Sequence, residues 1–197
     1  MLDINKYLNE VANEAFDDKI EEIEYDFYAK ITDFDQLKKA KYKKDQEQWS
    51  LFFFKEAVRC SLRVRKITDD KNIKFEIANK LKIGDLDDEW EIEKEIERHH
   101  FDILKSLSKS GMMKTRYYFP INETDMVWEV DVFYNSKGEP LPWVKVDLEV
   151  DQRLNKLPPY PIEAEEWIEE QFNERSPETI DKIDKLYKNL FIIRKKK

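Results

Sequence analysis

The chain has 197 residues, with 43 acidic and 35 basic side chains and a formal net charge of −8. Charged residues make up 40% of it, against the ~25% of an ordinary soluble domain. Hydrophobic residues still reach 41% and aromatics 13%, which is enough for a packed core and excludes a disordered polyelectrolyte. This length suits one domain.

Scarce residues narrow the chemistry. The three glycines, Gly84, Gly111 and Gly138, lie 27 residues apart, which excludes the clustered glycines of a phosphate loop or a dinucleotide fingerprint. Cys60 is the only cysteine, so there is no disulfide framework and no cysteine zinc site. His99 and His100 are adjacent and diverge by roughly 100° on a helix, so they cannot chelate one ion together. A metal would have to be hard and carboxylate-bound, Mg²⁺ or Mn²⁺.

In chain order, residues 3–19 predict a helix, with Ile4, Leu8, Val11, Ala12, Ala15 and Phe16 on one stripe and Asp3 as N-cap. The period then falls to two. Ile23, Tyr25 and Phe27 face one way, and Glu22, Glu24 and Asp26 the other. Asp35 to Gln48 is polar and lysine-rich, expected as a helix or long excursion. Leu51 to Lys66, Ile73 to Leu81 and Glu89 to Ile96 read as strands. Arg98 to Ser110 reads as a helix stopped by Gly111. Strands follow at Met113 to Phe119, Val127 to Tyr134 and Trp143 to Asp151, with a hairpin turn at Asn135-Ser136-Lys137-Gly138. After Leu157-Pro158-Pro159-Tyr160-Pro161, two helices are expected, at about 162–174 and 177–191, the second opened by Ser176-Pro177-Glu178.

The polar strand faces are almost purely ionic. Glu22 and Glu24, Arg63 and Arg65, Glu91 and Glu93, Lys114 and Arg116, and Asp147 and Glu149 are like-charge neighbours two residues apart. A solvated sheet face has no reason to repeat that arrangement on strand after strand. Acidic and basic strands facing one another around a shared lumen would explain it. The expected fold is therefore α+β: a closed antiparallel β-barrel of about eight strands, charged inside, with helices packed outside. Such a lumen offers cations for phosphate oxygens and carboxylates for a divalent ion that phosphates also ligate. The absence of a ~20-residue apolar stretch or a signal-peptide core, with a single free cysteine, predicts a soluble cytoplasmic protein with no membrane partner.

These strands, in this order, resemble the CYTH domain, or triphosphate tunnel metalloenzyme family. That family includes inorganic and thiamine triphosphatases, class IV adenylate cyclases and RNA 5′-triphosphatases. Its hallmark E-x-E-x-K strand is matched by Glu22-Ile23-Glu24-Tyr25-Asp26, with Asp26 standing where the family has lysine. Arg63-Val64-Arg65 matches its R-x-R strand, Lys80 the strand-borne lysine that follows, and Glu91-Ile92-Glu93 the central E-x-E strand. Lys114-Thr115-Arg116-Tyr117-Tyr118 and Trp128-Glu129-Val130-Asp131-Val132-Phe133 carry the most specific match. Asp147-Leu148-Glu149 matches the last metal-binding strand, with aspartate for the usual first glutamate.

The resemblance covers about residues 20–151 and implies one CYTH-like domain over 1–197. It implies a divalent-metal-dependent phosphohydrolase acting on inorganic triphosphate, a nucleoside triphosphate or an RNA 5′-triphosphate held in a charged tunnel. On this basis Glu22, Glu24, Asp147 and Glu149 would hold Mg²⁺ or Mn²⁺. Arg63, Arg65, Lys80, Lys114 and Arg116 would clamp phosphates, and Glu22, Glu24, Arg63, Arg65, Lys114, Arg116 and Asp131 would form the catalytic set. Glu91, Glu93 and Glu129 would support the basic side chains. The alternative is a catalytically degenerate CYTH-like protein that binds a nucleotide, polyphosphate or RNA such as tRNA without turnover. The lysines at 38, 39, 41, 43 and 44 would assist nucleic-acid binding there, or simply form a solvated face.

Overall fold

A computed structural model describes residues 23–54, 58–83, 89–108, 110–170, 177–188 and 193–194. The helix expected over 3–19 and the expected ligand Glu22 lie outside these residues.

The chain forms β1 (Ile23–Lys30), a 3-10 turn (Phe34–Lys39), β2 (Tyr42–Phe54), β3 (Val58–Thr68), β4 (Ile73–Ile83) and β5 (Glu89–Glu95). Next come α1 (Arg98–Leu107), β6 (Ser110–Pro120), β7 (Val127–Tyr134), β8 (Pro140–Val150), β9 (Glu166–Glu170), α2 (Pro177–Lys188) and β10 (Ile193–Arg194). All strand pairs are antiparallel, in the order β5-β4-β3-β2-β6-β7-β8-β1-β9. Short β10 pairs with β6 at Ser110 and Gly111, beyond the reach of β7.

The sheet is not a closed barrel. Its path ends at β5 and β9, and no pairing among the described residues joins them. Side-chain alternation, on which the barrel expectation rests, fixes which face a residue takes but says nothing about which edges meet.

Turn chemistry sets the hairpins. Asp69 Oδ1 accepts hydrogen bonds from the backbone N–H of Lys71 and of Asn72, both 2.8 Å, and closes the β3–β4 turn. Asn135 Oδ1 accepts from the N–H of Lys137 at 2.9 Å and of Glu139 at 3.0 Å, while Gly138 supplies the positive φ of +78°.

One face of the sheet is apolar. Phe27, Ala29, Trp128, Val130, Val132, Val144, Val146 and Leu148 alternate outward from β1, β7 and β8 into one buried cluster. Residues 151–165 cover it without regular secondary structure. Tyr160 stacks on Trp167 at 4.0 Å, Ile162 is buried, and Trp128 Nε1 donates to the Pro159 carbonyl at 3.1 Å. Each fully buried side chain of this size contributes roughly 1.5–3 kcal/mol. On the other half of the same face, α1 seats Phe101 against Trp49 and Val64.

Three segments differ from their sequence expectation. Asp35 to Gln48 reads as helix or excursion, yet Tyr42–Phe54 is strand. Its inward residues, Lys44, Gln46 and Gln48, are polar because they face ion pairs, so no apolar alternation betrays it. Residues 162–174 read as helical, but Glu166–Glu170 is β9, paired with β1. The strand sends Trp167 into the outer cluster and Ile168 into a second cluster on the opposite face, a division that period two provides. Gly111 does not stop a helix. It lies in β6 opposite Trp49, whose indole would be 2.6 Å from any added Cβ, so only glycine fits there. Helix α1 ends earlier, at Leu107.

Candidate functional site

The opposite face gathers the charges. Cross-strand partners share a face, so the register aligns Gln48 with Arg65 and Met112, Gln46 with Lys114, Arg116 with Lys44 and Asp131, and Asp147 with Glu129 and Asp26. Of the expected site residues, Glu24, Arg63, Arg65, Glu93, Lys114, Arg116, Glu129, Asp131, Asp147 and Glu149 share this face. The backbones of Lys80 and Glu91 pair directly across β4 and β5. At one end the face turns apolar: Tyr28, Phe133, Leu141 and Trp143 meet Ile183 of α2.

Sequence reasoning places opposite charges across a lumen. The structure instead sets them side by side on neighbouring strands. Asp131, 1% exposed, sits under two cations: Lys114 Nζ donates to its Oδ2 at 2.5 Å, and Arg116 engages both oxygens, Nε to Oδ1 at 2.7 Å and Nη2 to Oδ2 at 2.8 Å. Burial alone would raise the Asp131 carboxyl, but Lys114 and Arg116 outweigh it and hold the group well below the usual carboxylate range. Burial lowers the Lys114 ammonium to about 8 even with Asp131 opposing, while Arg116 is held charged by Asp131, Glu129 and Asp147 against its own desolvation. Arg116 also pairs with Glu129 and reaches Asp147 Oδ2 at 3.4 Å.

Asp147 carries this network on to β1. Lys145 Nζ lies 2.8 Å from Asp147 Oδ1, 2.6 Å from Asp26 Oδ1 and 3.3 Å from Glu24 Oε1. Oxygens of Glu24, Asp26 and Asp147 all lie within 4.8 Å of one another, the spacing a small cation needs. Burial, then the Asp147 carboxyl directly across the strands, push Asp26 up to about 9 despite the pull of Lys145.

The residues expected as metal ligands are placed differently from one another. Glu24 and Asp147 are in the cluster and Asp26 joins them. Glu149, which lies opposite Glu24 in the register, is exposed and outside the cluster. A second, separate knot binds the β3–β5 side. Arg65 pairs with Glu93 and lies 3.8 Å from Glu76, which in turn accepts from Lys74 at 2.7 Å. Arg63 shares this face at the register position of Ala78 and Ser50.

Sequence reasoning misses Glu76 and leaves Lys145 and Asp26 outside the working set. The signal is present in both strands, as Lys74-x-Glu76 on β4 and Lys145-x-Asp147-x-Glu149 on β8, each alternating inward. Of the lysine run, Lys41 and Lys43 are exposed, whereas Lys44 turns in over the Tyr118 ring at 5.3 Å, beside the stacked pair Tyr42–Tyr118. His99 and His100 are exposed on α1.

Chemically, the β6–β7–β8–β1 network sets three cations (Lys114, Arg116, Lys145) against five carboxyls (Glu24, Asp26, Glu129, Asp131, Asp147). The acidic excess at Glu24, Asp26 and Asp147 fits a hard divalent ion, since all three donors are oxygens and their neighbours leave net negative charge.

No helix among the described residues is long and apolar enough to cross a membrane. No family model matches the chain, and no curated protein matches it. Among solved structures, the chain is similar to that of the PH1819 protein from Pyrococcus horikoshii OT3, with a TM-score of 0.45 and 16% identity over 88% of this chain and 95% of that one.

Proposed function

We propose that the charged face binds a polyphosphate together with a divalent cation, and that the protein is a metal-dependent phosphohydrolase for a triphosphate-bearing substrate, as its resemblance to CYTH domains implies. The observation that carries this reading is the continuous row Lys114–Asp131–Arg116–Asp147–Lys145–Asp26, in which phosphate-type cations and a three-carboxylate cluster meet through one shared aspartate. Glu24, Asp26 and Asp147 would hold Mg²⁺ or Mn²⁺, which when bound would offset phosphate charge and polarise a phosphoryl oxygen. Arg116, Lys114, Arg63 and Arg65 would bind the phosphate chain, and Asp131 would keep Lys114 and Arg116 aimed. On this reading the charged face of the open sheet lines the substrate site, and α1 covers the opposite, apolar face.

Phosphate release from tripolyphosphate, ATP and triphosphorylated RNA, with Mg²⁺, Mn²⁺ or EDTA, tests it. Turnover with metal and none with EDTA is expected. Absence of turnover with all three substrates and both metals refutes hydrolysis. Binding without turnover is the second reading, favoured by one observation: Lys145 already occupies the carboxylates that a catalytic ion would need. A melting-temperature rise with tripolyphosphate or a nucleoside triphosphate, without phosphate release, would identify that case.

A further inference from the structure

The ammonium of Lys145 is more than a counter-charge on the site. Its three contacts, at 2.6, 2.8 and 3.3 Å, go to oxygens of the same three carboxyls that are spaced for a metal ion. A divalent ion and this ammonium therefore compete for the same residues. The ammonium also serves them imperfectly: Asp26 Oδ1 and Asp147 Oδ1 are buried and near it, yet neither receives a hydrogen bond of good angle. The two neighbouring cations are differently constrained. Arg116 is fixed by two hydrogen bonds to Asp131, and Lys114 by one to the same group. Among the described residues, Lys145 has only the cluster to hold it, on a four-carbon stem that redirects by rotamer changes alone. Its Cα lies opposite Asp131 on one side and Tyr28 on the other, so a redirected ammonium stays on the charged face, between the phosphate-type cations and β1.

We infer that Lys145 is an exchangeable tethered cation. It fills the Glu24–Asp26–Asp147 cluster in the absence of metal. When a divalent ion takes those carboxylates, it is displaced onto an oxygen of the polyphosphate. The ion also displaces the proton that Asp26 holds, which leaves to solvent, so the ammonium and one proton depart as two positive charges arrive, and the displaced ammonium meets phosphate. This rests on the polyphosphate reading above.

Two binding measurements separate the parts. In phosphate-free buffer, free Mn²⁺ is followed by electron paramagnetic resonance for the wild type and for Lys145→Met. Removal of the competing cation should tighten Mn²⁺ binding on the order of ten-fold, as the loss of one close charge at an intermediate dielectric implies. Calorimetry at saturating Mn²⁺ should then show tripolyphosphate binding to the variant weakened by about ten-fold, the scale of one lost charge-assisted contact.

Equal Mn²⁺ affinity in a cooperatively melting variant overturns the inference. Tighter Mn²⁺ with unchanged tripolyphosphate affinity overturns the displacement onto phosphate. Lys145→Gln is measured alongside, so that a misfolded methionine variant does not decide the matter. If the wild type ignores tripolyphosphate at every Mn²⁺ concentration, the polyphosphate reading itself has failed and the displacement falls with it. The Mn²⁺ comparison still decides the competition.

Discussion

Strands β1, β7 and β8 are buried on both sides, but by different means. On the outer side Trp128, Val146 and Leu148 are enclosed by hydrocarbon; on the inner side Asp131 and Asp147, at 1% exposure each, are enclosed by Lys114, Arg116 and Lys145. Equal burial does not mean equal contribution. Apolar burial is a net gain of roughly 1.5–3 kcal/mol per large side chain. A buried ion pair does little more than recover the cost of dehydrating its members, and becomes expensive when one partner is removed. The outer side holds the strands together, and the inner side concentrates paired charge at little net gain in stability.

The sharpest way to break the comparison is to delete one residue from each side. Trp128→Ala removes a fully buried indole that packs with Phe27 and Tyr160 and donates to Pro159. It should cost about 3–5 kcal/mol, seen as a large fall in the urea midpoint. Asp131→Ala should cost about 3 kcal/mol for the opposite reason, because it strands two buried cations. The two sides then separate through a compensated variant. Asp131→Leu combined with Lys114→Met and Arg116→Met should regain part of the stability lost by Asp131→Ala, the remainder being withheld because Glu129 loses its cation, and abolish polyphosphate binding. No second mutation nearby should rescue Trp128→Ala. If the triple variant is no more stable than Asp131→Ala, the inner network is an ordinary stabilising core and the contrast fails.

The outer side is legible in the sequence because alternation is its signature: Trp128-x-Val130-x-Val132 and Val144-x-Val146-x-Leu148 announce a face directly. The inner side is legible as a set of charges but not as pairs. Like charges two apart, such as Lys114 and Arg116, suggest repulsion to be relieved across a lumen, whereas relief comes from the adjacent strand, where Asp131 lies opposite Arg116. Strand adjacency is set by register and chain path, neither of which a single strand encodes. The same gap explains why closure is expected although no pairing among the described residues joins β5 to β9. It also hides the ion pairs of Lys145, whose partner Glu24 is 121 residues away in the chain. Residues 166–170 mislead for another reason: Trp167 and Ile168 each have a separate cluster to fill, and a helical reading of adjacent apolar residues cannot see two destinations.

Acid sharpens the comparison without mutation. The Asp131 carboxyl titrates well below its unfolded value of about 4, because Lys114 and Arg116 outweigh its desolvation. The folded protein therefore binds fewer protons than the unfolded chain as pH falls through that region. The stability that Asp131 contributes is present above about pH 4 and is lost progressively below it. Melting temperatures between about pH 6 and pH 3 should fall more steeply for the wild type than for the compensated triple variant, which lacks the titrating group. Parallel slopes would remove Asp131 as the source.

The smallest expected effect runs the other way in pH and comes from Asp26, the inner carboxyl that most resists ionising. Burial and the neighbouring Asp147 raise Asp26 to about 9. Between the unfolded value near 4 and that folded value, the native protein holds a proton that the unfolded chain has released, so this group makes stability fall as pH rises. Asp26→Asn keeps the shape of the protonated acid and cannot release a proton. At about pH 5 the variant and wild type should melt within a degree or two of each other. At about pH 8 the variant should melt higher, the gap widening with each pH unit between the two. Part of the gain will be offset, because a neutral amide at this position pairs less strongly with Lys145 than the ionised fraction of Asp26 does. The sign of the pH trend is the test. A gap that is constant across that range would mean that Asp26 is already ionised in the fold and that Lys145, not Asp147, governs it.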